Sequence, residues 1–248
     1  MISTLQVFNS TYQVNLSKPL DISIPIGSKK KWVKAWYVND ATIKQVEGDG
    51  FIGAVALGGS VNFRDICFNP HGNGTHTECV GHITEKVHSV NQNLKQFFFP
   101  AQVISVAPQP IGNDLVITRG QIESAQLING IEAIVIRTLP NGIPNKDLSN
   151  TNPPFLDVEA TKLLVDWGIK HLLIDQPSVD KEVDGGALAS HHAFWNTKGN
   201  IRYDATITEF IYVDDSILDG LYLLNLQVAA FENDASPSRP VLFELQKA

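Results

Sequence analysis

The chain has few cysteines and no long apolar run. Its two cysteines, Cys67 and Cys79, form neither a CxxC pair nor a zinc-finger spacing, which excludes a structural zinc site made of thiolates alone. No stretch approaches the roughly 18 apolar residues that a membrane-spanning helix needs. The first ten residues contain no basic residue and no apolar core of signal-peptide length. We therefore expect a cytoplasmic protein whose thiols are reduced.

Basic residues are also scarce. The 248 residues include 19 Lys and Arg against 26 Asp and Glu, which gives a formal net charge of −7. The longest basic tract is the run of three lysines from Lys29 to Lys31. Nucleic-acid backbones are bound by clustered cations, and this chain offers few of them. The composition therefore argues against a nucleic acid as the partner, and we expect a small-molecule substrate instead of a nucleic acid or a membrane.

The sequence contains no internal repeat, no low-complexity tract and no linker long enough to separate two domains. Proline and glycine cluster in the segment 140–154, which we interpret as one long loop. A chain of this length buries about 70–75% of its unfolded surface and needs no structural metal to fold. We expect residues 1–248 to form a single domain, in which any metal serves function.

Runs rich in β-branched residues predict a fold dominated by strands. These runs are Ile22–Ile26, Val33–Val38, Val61–Phe68, Gln102–Val106, Ala133–Thr138, His171–Asp175, Thr206–Val213, Leu221–Ala229 and Val241–Leu245.

Helices are fewer, and the clearest is predicted from Asp157 to Trp167, with Gly168 ending it. Weaker patterns predict helices over Gly120–Leu127 and Ala187–Trp195. The segment 133–175 thus reads as strand, loop, helix and strand, which favours a parallel pair of strands. The later strands follow one another closely, so the sheet should be mixed. The fold class is therefore predicted to be α/β, a single domain with a mixed β-sheet core and few helices.

The seven histidines are unevenly distributed. Four of them fall between His71 and His88, and the first twelve residues of that window also hold a glutamate and three glycines. In an extended segment, His76 and Glu78 point the same way and can present a nitrogen and an oxygen to one ion. Gly72 and Gly74 allow positive φ, which could fold His71 back beside His76. Such a set suits Zn²⁺, Mn²⁺ or Fe²⁺ and leaves room for water or substrate.

Isolated histidines more often have structural roles, and we assign such roles to His88 and His171. Cys79 lies beside the candidate site, but a nucleophilic role would require a thiolate with a dedicated histidine partner. We interpret it as a small packing residue.

The segment Gly74-Thr75-His76-Thr77-Glu78, with His82 four residues further on, resembles the hallmark of the cyclase family of metal-dependent hydrolases. That family includes bacterial kynurenine formamidases and isatin hydrolases. Other segments that resemble the family, in the same order along the chain, are Leu16–Leu20, Val135–Thr138, Asp175–Asp180, Thr208-Glu209 and Ser236–Arg239.

The sequence departs from the family pattern in three places. The first histidine of the motif usually stands four residues before the second, where this chain has Gly72, and His71 lies one residue earlier. The acid is usually aspartate, whereas Glu78 is one methylene longer. The usual proline is replaced by Val80. We still expect His71 to act as a ligand, because the glycines on either side of Asn73 can absorb the extra residue.

The resemblance implies the swivelling β/β/α fold of the family, a homodimer, and further ligands from a distant histidine and a late glutamate. The glutamate corresponds to Glu209, and the histidine to either His191 or His192. Neighbours on a helix point about 100° apart, so only one of the two can face the site. We favour His192. The metal ligands predicted for one or two Zn or Mn ions are His71, His76, Glu78, His192 and Glu209.

The resemblance further implies hydrolysis of a carbon–nitrogen bond in an amide, arylformamide or cyclic imide-like substrate by metal-activated water. His82 is the predicted catalytic residue, which takes a proton from water and passes it to the leaving nitrogen. The alternative is that His82 supports a ligand or binds a second ion. Trp36, Phe155 and Trp195 are candidates to line an aromatic pocket, although each fits a core position equally well.

Two other functions fit parts of the pattern. His76, Glu78 and His192 could form the two-histidine, one-carboxylate triad of an iron(II) oxygenase, with Arg202 binding an oxo-acid co-substrate. A non-catalytic small-molecule-binding protein of the same fold would explain the displaced first histidine.

A glycine pattern from Gly48 to Gly53 matches the dinucleotide fingerprint, but the residues that follow make a poor helix, so a hairpin or loop is expected there.

Overall fold

Strands dominate the chain, as the β-branched runs predict. The protein is described by a computed structural model that covers residues 1–28, 32–142 and 147–248. The lysine tract Lys29–Lys31 and Pro144 of the predicted loop lie outside the described residues. The strands are β1 (Ile2–Val7), β2 (Ser10–Asn15), β3 (Leu20–Asp21), β4 (Thr42–Gln45), β5 (Glu47–Gly48), β6 (Phe51–Ile52), β7 (Arg64–Cys67), β8 (His76–Glu78), β9 (Phe98–Val106), β10 (Gln109–Ile111), β11 (Asp114–Ile117), β12 (Ala133–Thr138), β13 (Phe155–Leu156), β14 (His171–Ile174), β15 (Thr206–Glu209), β16 (Gly220–Asn225), β17 (Ala235–Pro237) and β18 (Val241–Lys247).

One mixed sheet contains most of these strands. Its order is β1-β2-β18-β16-β9-β12-β14-β15-β8-β17, and β3 pairs with β18 beside that path. The four central strands β9, β12, β14 and β15 are parallel, whereas their neighbours on both sides are antiparallel. The predicted mixed sheet is therefore confirmed. The parallel block brings the carboxyl ends of its strands to one edge, where loops can converge.

The helices are short and cover part of the sheet. They are α1 (Val90–Asn93), α2 (Arg119–Ser124), α3 (Val158–Asp166) and α4 (Ala189–Trp195), with 3₁₀ turns at Val55–Leu57 and Val80–Ile83. Within the described ranges, no helix has the length and apolar character to cross a bilayer.

The predicted strand, helix and strand unit is present. Strands β12 and β14 pair in parallel, with α3 between them in the chain. Asp157 caps α3 by accepting a hydrogen bond from the backbone N–H of Glu159 at 3.3 Å, and Gly168 follows the helix with φ at 80°. The side chain of Trp167, the last of the predicted apolar positions, is 40% exposed.

Apolar side chains on both faces of the parallel block form the core. Ile134 and Ile136 of β12 pack into a cluster with helices α2, α3 and α4, whereas Val135 packs into a second cluster with β16 and β18. A strand that is buried on both faces reads as a continuous apolar run, which is why β12 was predicted with its bounds correct.

Two of the predicted strands end early because the backbone turns. Over Val33–Val38 the described residues form only an isolated bridge at Lys34, and the chain then turns because Trp36 and Tyr37 have φ of 60° and 56°. The strand predicted over Thr206–Val213 stops at Glu209, since Phe210 has φ of 55°. Positive φ in a non-glycine residue breaks the extended backbone, and sequence patterning does not reveal it.

Residues 42–67 form an arm that projects from the main sheet. Strands β4 and β7 pair antiparallel in it, and β5 and β6 form a hairpin across the Gly48–Gly53 segment. The hairpin interpretation of that glycine pattern is therefore confirmed. The arm exposes large apolar side chains, namely Phe51, Ile52, Val55, Leu57, Val61, Phe63 and Ile66.

Candidate metal centre

Strand β8 is the base of the site. His76 and Glu78 lie two residues apart on this strand, so they share one face, and both are completely buried. Strand β15 pairs with β8 so that Glu209 lies directly opposite His76. The Nε2 atom of His76 is 3.4 Å from Oε2 of Glu209. The sheet therefore brings together three of the residues predicted as ligands.

The loop before β8 brings His71 to the same place. Gly74 has φ of 109°, and the Thr75 hydroxyl donates to the carbonyl of Phe210 while accepting from the Ile24 N–H at 2.6 Å. A Cβ at Gly72 would lie 2.6 Å from a methyl group of Val38, so any larger residue there would have to displace that side chain.

His71 thus folds back toward β8. Its Nδ1 lies 3.0 Å from Oε2 of Glu78, and its ring centre lies 5.2 Å from that of His76.

Helix α4 contributes His191, not His192. The expectation that His192 faces the cluster is wrong, because its Nδ1 contacts the Thr197 hydroxyl at 2.6 Å and the ring points away. His191 Nε2 is 3.1 Å from Oε1 of Glu78 and 3.9 Å from Oε1 of Glu209. The rotation of α4 about its axis decides which of the two histidines faces the cluster. The sequence indicated that only one of them can do so, and His192 was the wrong choice.

His82 comes from the 3₁₀ turn that follows β8. Its Nε2 is 3.8 Å from Oε2 of Glu78, and its ring stacks on that of His71 with centres 4.2 Å apart. On its other side, Nδ1 is 3.4 Å from Oδ2 of Asp234. His82 is the most exposed of the clustered imidazoles, with 31% of its side chain accessible.

Two carboxylates that sequence reasoning did not place in the site lie behind the histidines. Asp180 Oδ2 is 2.6 Å from Nδ1 of His191, and Asp234 Oδ2 is 2.8 Å from Nε2 of His71. Asp180 ends the segment that resembles the family's aspartate–serine–aspartate loop. Asp234 stands immediately before β17. The position of Asp180 in that segment was an available signal, whereas Asp234 lies two residues before the Ser236–Arg239 segment.

The electrostatics of the cluster follow from its burial. Burial opposes ionisation of Glu78, but His82, His191 and His71 outweigh it and hold the pKa of that carboxyl well below its usual range. Burial also opposes charge on His71, yet Asp234 and Glu78 raise its pKa to about 10.

His191 behaves in the same way: burial opposes its charge, and Asp180 and Glu78 raise its pKa to about 10. The four buried or half-buried carboxylates of the cluster therefore require positive charge between them.

The residues present fit a divalent ion. His76 Nε2 and Glu78 Oε2 are buried and make no aligned hydrogen bond among the described residues, although Glu209 Oε2 lies 3.4 Å from the first and His71 Nδ1 lies 3.0 Å from the second. The nitrogen and oxygen atoms facing each other across the centre are separated by 3.0 to 3.9 Å. Ligand atoms at about 2.0–2.1 Å from a tetrahedral ion are about 3.3 Å apart. Imidazole nitrogens with carboxylate oxygens suit Zn²⁺, Mn²⁺ or Fe²⁺.

A cavity of about 350 Å³ opens beside the cluster. Its lining includes His71, His82, His191 and Glu209, and also Trp36. Of the other aromatic candidates, Trp195 is fully buried in the core and Phe155 lies in β13, and neither lines this cavity. The cluster is thus reachable by a small molecule.

Several predicted residues have structural roles. Arg202 donates from its guanidinium to the backbone carbonyls of Phe194 and Ile169. The oxygenase triad with His192 and its Arg202 anchor is therefore not formed. Burial raises the pKa of the Cys79 thiol to about 11, which agrees with a packing role. Cys67 and Cys79 are both free thiols.

The sequence was also compared with known protein families. A family model described as putative cyclase matches residues 14–181, which is more than half of the chain. The chain belongs to the cyclase family. The resemblance seen in the His71–His82 segment is thereby confirmed. The match ends before His191, Glu209 and Asp234, so the last third of the chain supplies side chains of the cluster that lie beyond the matched region.

Relatives of this cyclase-family chain include the kynurenine formamidase of Bacillus thuringiensis (strain Al Hakam). It is 29% identical over 188 residues, which cover 74% of this chain and 81% of that protein. The solved structure of a potential metal-dependent hydrolase with cyclase activity has a TM-score of 0.66 at 18% identity and covers 91% of this chain and 97% of that one. An isatin hydrolase bound to the product analogue thioisatinate has a TM-score of 0.66 at 16% identity and covers 92% of each chain. These structures share the fold, as predicted.

Proposed function

We propose that this protein is a metal-dependent hydrolase that cleaves a carbon–nitrogen bond in a small amide, arylformamide or cyclic imide-like substrate. The observation that carries the proposal is the pair of buried atoms His76 Nε2 and Glu78 Oε2, which make no aligned hydrogen bond among the described residues and lie within a ring of imidazoles that opens to a cavity. The relatedness to a kynurenine formamidase supports the substrate class.

The ligand set differs from the sequence prediction in one residue, with His191 in place of His192. Zn or Mn, as one or two ions, matches the mixture of nitrogen and oxygen donors. When bound, the ion polarises the substrate carbonyl and lowers the pKa of water. The residues proposed to hold it are His71, His76, Glu78, His191 and Glu209.

The chain's own residues orient the ligands and move the proton. The backbone N–H of Val179 donates to Oε1 of Glu209 at 3.1 Å, which leaves Oε2 turned toward His76.

His82 lies at the cavity with its Nε2 on the side of Glu78. We assign it the transfer of a proton from the attacking water to the leaving nitrogen, as the new carbon–oxygen bond forms and the carbon–nitrogen bond breaks.

The test is elemental analysis of the purified protein after dialysis against metal-free buffer, followed by a screen of formamides and cyclic imides. The His76→Ala/Glu78→Ala double variant should lose the metal. His191→Ala should lose it as well, whereas His192→Ala, one residue away on the same helix, should keep it.

The outcomes separate the competing functions. One or two equivalents of Zn or Mn with amide turnover support the hydrolase. Iron as the sole metal, with activity that needs dioxygen and an oxo-acid, would favour the oxygenase. Bound metal without turnover across a broad amide panel would favour the non-catalytic binding protein. His82→Ala should abolish turnover while the metal is retained.

The homodimer and the cytoplasmic location stay predictions. The exposed apolar side chains of the arm, such as Phe63 and Ile66 at 58% and 60% exposure, support pairing of two copies through this surface. Light scattering should give the mass of a dimer for the native protein and of a monomer for Phe63→Asp/Ile66→Asp.

A further inference from the structure

Asp234 contacts two imidazoles of the centre through the same oxygen. Its Oδ2 lies 2.8 Å from His71 Nε2 and 3.4 Å from His82 Nδ1, and the two rings stack with an angle of 29° between their planes. We infer that Asp234 is a positioning residue that decides which ring nitrogen His71 and His82 turn toward the centre. The inference rests on the proposed metal-dependent function.

The chemistry of imidazole decides which ring nitrogen faces a carboxylate. A histidine that binds a metal ion has given up its second proton, so its ring has one N–H and one lone pair; a carboxylate can only accept, so the nitrogen facing it carries the hydrogen. Asp234 therefore places the N–H of His71 on Nε2. The lone pair then lies on Nδ1, which is 3.0 Å from Oε2 of Glu78. The lone pair on Nδ1 of His71 and the lone pairs on Oε2 of Glu78 can therefore be directed at the same ion.

His82 meets Asp234 through the other ring nitrogen, Nδ1 instead of Nε2. Asp234 faces Nδ1, so Nε2 keeps its lone pair on the side of Glu78 and the cavity. That lone pair is the one that a proton acceptor needs. One aspartate thus prepares His71 to bind through Nδ1 and His82 to accept a proton at Nε2.

The backbone of Asp234 is fixed independently of its side chain. Its carbonyl accepts from the N–H of Cys79 at 3.0 Å, and the next residue, Ala235, pairs with Glu78 between β17 and β8. A substitution at the side chain keeps these backbone contacts. The effect of the carboxylate can therefore be separated from the effect of the strand.

A second carboxylate uses the same arrangement on the opposite side. Asp180 accepts backbone N–H bonds from Ser190 and His191 at 2.7 and 3.0 Å, and its Oδ2 also meets Nδ1 of His191 at 2.6 Å. His191 is thereby left with Nε2 toward Glu78. The two aspartates would make the two histidines bind through different ring nitrogens, His71 through Nδ1 and His191 through Nε2.

The experiment uses the full-length protein loaded with Zn²⁺ and labelled with ¹⁵N-histidine. Long-range proton–nitrogen NMR spectra report which nitrogen of each ring is protonated and which binds zinc, and competition with a chromophoric chelator gives the Kd. The variants are Asp234→Ala and Asp234→Asn. The control is Glu232→Gln, an exposed acid on the same segment that contacts Asn91 and Gln92 instead of histidines.

In the native protein, zinc should be bound by Nδ1 of His71. Asp234→Ala should weaken zinc binding by about 10–100-fold, as loss of a carboxylate behind a ligating histidine does, and should release the Nε2 proton of His71 to exchange between nitrogens. At saturating zinc its kcat should stay reduced with little change in KM, because His82 loses its orientation. The amide oxygen of Asp234→Asn can still accept the N–H, so the zinc Kd and the kcat of this variant should lie between those of the native protein and of Asp234→Ala. Glu232→Gln should match the native protein.

An Asp234→Ala protein that keeps Nδ1 coordination at His71 and a zinc Kd within about two-fold of native would overturn the inference. A native protein in which zinc binds His76 and His191 but not His71 would also overturn it, while leaving the proposed function standing. A native protein that binds no zinc and no manganese would refute both.

Discussion

His171 makes the stability of the fold depend on pH in a way that can be calculated. Its side chain is 2% exposed, its ring lies 3.9 Å from that of Phe99, and Nδ1 contacts the Thr206 hydroxyl at 2.9 Å. Burial is the main reason that its pKa falls from 6.5 to about 3, and the charges of Lys170 and Arg202 add to this while Asp204 opposes it.

The unfolded chain therefore binds a proton at His171 more readily than the folded chain. The resulting stability is complete above the unfolded pKa of 6.5 and is lost as the pH falls toward the folded pKa of about 3. Between pH 7.5 and pH 5, protonation of the unfolded state alone lowers the free energy of unfolding by about 2 kcal/mol. This value holds for any folded pKa well below 5, so it is insensitive to the size of the shift.

The assay is urea denaturation of the native protein and of His171→Gln at a series of pH values, with chelator present for both proteins. Glutamine does not titrate and can still contact Thr206. The difference in free energy of unfolding between the two proteins should shrink by about 2 kcal/mol between pH 7.5 and pH 5. A difference that stays constant within about 0.5 kcal/mol would refute a buried neutral histidine.

Three further outcomes are expected. Gly72→Ala should lower the free energy of unfolding by about 1–3 kcal/mol and weaken metal binding, because the new Cβ would lie 2.6 Å from Val38. In thermal denaturation, the control Gly48→Ala should be close to neutral, because nothing lies within 4 Å of its Cβ. Removal of metal by a chelator should lower the melting temperature, because an ion held at 100 times its Kd stabilises the folded state by about 2.7 kcal/mol; an unchanged melting temperature would speak against a bound ion. Asp180→Ala should weaken zinc binding about 10–100-fold through His191, as measured by calorimetry, with native affinity as the contrary result.

The parts of the fold that depend on local pattern were predictable. Strand β12 and helix α3 have buried faces that follow the period of their own backbone, so their bounds are correct within a residue or two. The hairpin of β1 and β2 was missed because its apolar residues are few, and only Val7 and Val14 among them are buried. Strand ends at Trp36 and Phe210 depend on positive φ, which tertiary packing imposes.

The same division applies to the site. His71, His76 and Glu78 are close in the sequence, and their glycine-rich spacing was enough to bring them together. The choice between His191 and His192 depends on how α4 rotates against β8, which no local pattern encodes. Asp234 enters only because β17 pairs with β8 from far along the chain. Contacts of that range leave no periodic signal in a single sequence.

The position of β8 in the sheet has a consequence for the order of events during synthesis. Its two neighbours, β15 and β17, are encoded near the end of the chain, so β8 has no partner to pair with until most of the protein has left the ribosome. His71, His76 and His82 are synthesised well before Glu209 and Asp234, the carboxylates that they contact in the folded protein. A chain that stops short of β15 and β17 lacks both of these partners of β8 and cannot bring Glu209 and Asp234 to His76 and Glu78.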